Sequence, residues 1–62
     1  MNIPEAVRLT QHLLDHLRER RTYLAGEVLK ASTRTIRDLC QAELTLVEAQ
    51  LTCTEQILAN LA

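Results

Sequence analysis

Val28-Leu29-Lys30-Ala31-Ser32-Thr33-Arg34-Thr35-Ile36 is the stretch whose reading decides the fold. Before it, apolar positions recur at alternating spacings of four and three: Ile3, Val7, Thr10, Leu14, Leu17, Arg21, Leu24 and Val28, a heptad seam with two polar intruders. Carried through the stretch, the same frame meets Ala31, Thr35 and Asp38, and the stripe ends. A second stripe begins out of phase with the first: Ile36, Cys40, Glu43, Val47, Gln50, Thr54, Ile57 and Leu61. One continuous helix would keep its phase, so the break predicts two. The hydroxyl residues at the junction disfavour helix interiors and serve as N-caps, and Ser32 or Thr33 is the expected cap of the second helix. Gly26 is the second-ranked turn site, because the phase change comes after it.

Working outward, one Gly and one Pro leave little to interrupt either helix. Asn2 fits an N-cap, Pro4 the first helical position, and Glu5 a variant of the capping box. The expected architecture is all-α, a single helical-hairpin domain over 1–62: helix 1 about 3–30, a turn about 31–34 and helix 2 about 34–61. Folded at Ser32, position i meets position 64 − i, and all layers but Leu14 with Gln50 match in kind, among them Val7 with Ile57, Thr10 with Thr54, Leu17 with Val47 and Arg21 with Glu43. Each layer joins an a to a d position, as in antiparallel coiled coils.

Composition says what else is needed. A 62-residue chain seldom closes a sufficient core alone and leans on disulfides, a metal or a second chain. Cys40 and Cys53 lie thirteen residues apart on one helix, about 20 Å, so they cannot bridge within it, and no Cys/His cluster has zinc spacing. They read as small buried apolar residues. Association remains. Helix 2 is apolar over roughly 160° of its circumference, where contact with one neighbour takes little more than 100°. Leu39 and Leu46 flank one side of its stripe and Leu44, Leu51 and Leu58 the other, while Leu9 and Leu13 flank that of helix 1. These seven are the expected protein interface, covered when two hairpins pair as a homodimeric four-helix bundle or by the helices of another protein.

The polar candidates have two readings each. Arg21 and Glu43 form an ion pair that fixes register, or Arg21 reaches a partner's carboxylate or phosphate. Arg18, Arg20, Lys30, Arg34 and Arg37 gather positive charge toward the turn, as a solvated face or as a docking patch for an acidic protein surface or nucleic acid. Interleaved Glu19, Glu27 and Asp38, and the want of aromatics for stacking, argue against nucleic acid. His12 and His16 share a face but lack the His-Glu-x-x-His pattern, so no metal or other cofactor is expected. No phosphate loop and no nucleophile–base set points to catalysis, and a hairpin has no room for a substrate pocket.

The expectation is therefore a small non-catalytic protein–protein interaction module: a regulator, inhibitor, adaptor or co-chaperone. Without an export signal or an apolar run of membrane-spanning length, and with free cysteines, it is expected in the cytoplasm and not in a membrane. In size and helical pattern it resembles phage or plasmid regulators that inhibit a host protein, and the hairpin co-chaperones of type III secretion needle subunits. The alternative is a nucleic-acid-binding helical dimer using the basic middle segment, which resembles the Rop-type RNA binders in architecture and in no residue-level motif.

Overall fold

Only residues 31–33 separate the two helices of the chain. The computed structural model describes residues 2–62: α1 spans Ile3–Lys30 and α2 spans Arg34–Leu61, packed side by side and antiparallel, with no strand among the described residues. The hairpin is 46 Å long and 15 Å by 14 Å across.

Each helix starts on a capping side chain. Asn2 Oδ1 accepts a hydrogen bond from the Glu5 amide at 2.8 Å, which satisfies one of the four orphan N–H groups of the first turn. Pro4 falls one position later than expected, in the second helical place, where its missing N–H is equally harmless. Thr33, extended at φ −132° and ψ 158°, caps α2 by accepting from the Ile36 amide at 3.2 Å. The chain reverses with no non-glycine residue at positive φ. Gly26 is no turn; it lies inside α1, and a Cβ built on it would meet nothing within 4 Å.

The contact between the helices is a leucine seam. Leu14, Leu17, Leu24, Val47 and Leu51 are buried, with Leu44 and Leu58 packed against them. On α1 the seam follows the expected frame through Val7, Thr10, Leu14, Leu17, Leu24 and Val28, leaving Ile3 and Arg21 exposed. On α2 the frame differs. The residues turned inward are Cys40, Leu44, Val47, Leu51, Thr54, Leu58 and Leu61, all buried or half-buried, while Ile36, Glu43, Gln50 and Ile57 of the expected stripe are exposed. The two frames share Cys40, Val47, Thr54 and Leu61 and differ by about half of one residue's 100° step.

The reason is energetic. The expected frame would bury a carboxylate and an amide, at roughly 1–3 kcal/mol or more for each unsatisfied group. The observed frame buries three leucines instead, each worth about 1.5–3 kcal/mol when fully covered. Leu44, Leu51 and Leu58, expected to face a second chain, thus belong to the hairpin's own seam. Thr54, 4 % exposed, satisfies its hydroxyl within its own helix by donating to the Gln50 carbonyl at 2.7 Å, as Thr10 does to Ala6.

Two substitutions on α1 bracket this description. Leu24→Ala removes the most deeply buried side chain, 2 % exposed, and should cost about 2–5 kcal/mol, enough to unfold so small a domain. Gly26→Ala should raise stability by about 0.5–1 kcal/mol, since it removes a helix-interior glycine and meets no obstruction. Thermal unfolding followed by circular dichroism reads both; a Gly26→Ala chain that melts lower would contradict the placement of Gly26.

Candidate protein-binding face

A seam one stripe wide leaves each helix with two flanks, and the contacts across the hairpin show which flanks lie together. On one side Arg20 Nη2 donates to Glu43 Oε1 at 2.8 Å, and Leu13 and Leu17 share a shallow cleft with Gln50, Cys53 and Thr54. On the other, Arg18 Nη2 lies 3.8 Å from Glu55 Oε2, and a second cleft is lined by Gln11, Leu14, Asp15, Arg18 and Leu58.

Helical spacing extends each side. The first gathers Leu9 and Leu13 from α1, four residues apart. From α2 it takes Leu39, Leu46 and Cys53 at intervals of seven, with Ile57 four beyond. All are exposed, Leu13 by 47 % and Leu46 by 58 %. The second side carries Gln11, Asp15, Arg18, Gln41, Glu48 and Glu55. The hairpin is two-faced: one broad side is apolar, the other polar. Ile3, at the start of α1, and Leu29, near its end, add exposed apolar surface.

Polar groups cross the apolar side at Gln50 and at the Arg20–Glu43 pair, and helical spacing adds His16, seven residues on from Leu9, and Glu27, seven on from Arg20. Arg20, not Arg21, takes the Glu43 carboxylate. The observed frame of α2 puts Glu43 on the flank, and Arg20 is the member of the Arg20-Arg21 dipeptide on the matching flank of α1; Arg21 is exposed. The guanidinium carbon of Arg20 also stands 5.3 Å from the centre of the Tyr23 ring, in cation–π range. Hydrogen bonding to Glu43, and then its charge, raise Arg20 above the ordinary arginine value, so it is cationic at any working pH.

The basic residues do not form one free surface. Arg18 approaches Asp15 at 4.0 Å as well as Glu55, Arg20 holds Glu43, and Arg34 lies 3.8 Å from Asp38; Lys30 and Arg37 are exposed near the turn. The charge is nonetheless polarised along the hairpin. The turn half, residues 17–47, carries Arg18, Arg20, Arg21, Lys30, Arg34 and Arg37 against Glu19, Glu27, Asp38 and Glu43, a net of +2. The open half carries Arg8 against Glu5, Asp15, Glu48 and Glu55, a net of −3.

His12 and His16 are exposed on α1, and no group of three or more metal-ligating side chains occurs among the described residues. Both cysteines are free; Cys40 is half-buried, but Cys53 lies exposed on the apolar side, contrary to the expectation of burial. None of the helices described is long and apolar enough to cross a membrane. No protein-family model matches the sequence, and neither a characterised protein nor a solved structure shows significant similarity to it.

The ion-pair assignment is open to a double-mutant cycle. Arg20→Gln and Glu43→Gln should be non-additive in thermal stability, with a coupling that fades as salt is added, because both side chains are solvent-accessible. Arg21→Gln and Glu43→Gln should be additive; coupling in that cycle and none in the first would restore the register expected from the heptad layers.

Proposed function

We propose that this chain is a non-catalytic protein–protein interaction module that works by laying its apolar side on a second helical surface. The observation that carries the reading is the division of its leucines. Leu14, Leu17, Leu24, Leu44, Leu51 and Leu58 close the hairpin on itself, and Leu9, Leu13, Leu39 and Leu46, with Ile57, are left together on one side. Complete burial of those five side chains, each now about half exposed, would contribute roughly 5 kcal/mol, comparable with the whole stability of a small domain. An apolar strip of this kind, bordered by polar residues, is how interfaces are built.

The surface required on the other side is itself a helix pair, so the complex is a four-helix bundle, with a second hairpin of the same sequence as its simplest form. Regulation, inhibition or escort of another helical protein are the uses open to such a module in the cytoplasm. The basic middle favours a nucleic-acid role less, since three of its five candidate side chains already sit beside carboxylates of the same chain.

The test is a paired substitution on each side. Leu13→Gln with Leu46→Gln should leave helical content intact while abolishing association, read as mass in solution, or, in a chain that remains monomeric, binding of an apolar fluorescent dye. Gln11→Ala with Glu48→Ala on the polar side should change neither. If the apolar-side pair left mass and dye binding unaltered, the module reading would fail.

A further inference from the structure

One side chain of the apolar side belongs to a type that changes charge near neutral pH. His16 lies seven residues after Leu9, seven before Tyr23 and three after Leu13, so helical spacing sets it among the exposed apolar side chains of α1. The contact of Arg20 with Glu43, and the cleft that Leu13 shares with Gln50, fix the level of one helix against the other on this flank: in both cases the residue numbers add to 63. By that rule His16 stands level with Leu46. A helix pair laid over Leu13 and Leu46 therefore covers the imidazole too.

The groups around His16 decide which of its two forms a partner tolerates. On α1 these are Arg20, four residues on, with Glu19 and His12; on α2 they are Glu43, Gln50 and the Cys53 thiol. Arg20 already places a cation on the face, and the carboxylate beside it, Glu43, is taken by that arginine at 2.8 Å. Glu27, the other carboxylate of this side, is eleven residues from His16, about 16 Å along the helix. Glu19 and His12 share an exposed row with Glu5, opposite the seam, and stay in water when the apolar side is covered, where an ion pair is worth little. An imidazolium under a partner thus loses its water and gains no free carboxylate. The neutral ring brings an apolar body with one donor and one acceptor, which the Gln50 amide can meet.

We propose that His16 makes docking on the apolar side pH-sensitive: a partner is held while the imidazole is neutral and released as it takes up a proton. The proposal rests on the module reading and adds its regulation. Because the complex favours the neutral ring, the free chain binds more protons than the bound one, and affinity falls as pH falls. The loss is roughly tenfold between pH 7.5 and 5.5 for each imidazole covered, a window above the range in which carboxylates take up protons.

The experiment compares binding at pH 7.5 and 5.5, with helical content followed by circular dichroism. In a chain that self-associates, the dissociation constant from mass in solution should rise at least tenfold at the lower pH; in one that stays monomeric, retention on immobilised phenyl groups should fall. His16→Gln should remove the dependence and His12→Gln should keep it. A dependence that survives in His16→Gln, or binding that tightens at pH 5.5, would overturn the proposal. Equal binding by the unsubstituted chain at both pH values would overturn it as well, and the module reading would still stand if Leu13→Gln with Leu46→Gln abolished that binding.

Discussion

A helix can present only one stripe to one neighbour, and α2 carries more leucine than one stripe can hold. Everything else in the hairpin follows from how that excess is divided. The chain places Leu44, Leu51 and Leu58 against α1 with Val47 between them, and the remaining apolar residues of α2 are thereby committed to a single flank. On α1 the same rule turns Leu14, Leu17 and Leu24 inward and leaves Leu9 and Leu13 on the flank that meets Leu46 and Cys53. The apolar side is thus the part of the amphipathic pattern that an antiparallel pair of helices has no means of covering.

The helix ends and the turn were legible in the sequence because they depend on local chemistry. Asn2 and Thr33 supply an oxygen to an orphan amide three residues on, and that spacing is visible without any knowledge of tertiary contacts. The phase break between Val28 and Ile36 marks the reversal for the same reason. The rotation of α2 was not legible from periodicity. Two heptad frames share Cys40, Val47, Thr54 and Leu61, and spacing alone does not choose between Glu43-Gln50-Ile57 and Leu44-Leu51-Leu58. The pairing of Arg21 with Glu43 across a layer favours the first; a count of buried carbon favours the second, and the count decides because an exposed ion pair contributes little to offset three leucines left in water.

The corrected rotation alters the candidate site as well as the core. It withdraws Leu44, Leu51 and Leu58 from any second interface, moves Glu43 onto the flank where Arg20 takes it up, and brings Cys53 into the open. Leu9, Leu13, Leu39 and Leu46 remain exposed, now with a defined geometry: one side of the hairpin, crossed by the Arg20–Glu43 pair and Gln50. Charge falls into place along the axis as well: the basic middle, legible in the sequence, lies toward the turn, and the fold brings 3–16 alongside 48–61 to make the open end acidic.

The central claim, that the seam alone does not complete this protein, is tested most directly by the thermal midpoint of the unsubstituted chain across a hundredfold range of concentration under reducing conditions. If a second copy covers the apolar side, the midpoint rises with concentration, because association stabilises the folded chain by mass action. A cooperative transition at one temperature throughout, from a particle of 7.0 kDa, would show that the hairpin is stable with its apolar side in water, and would contradict the claim.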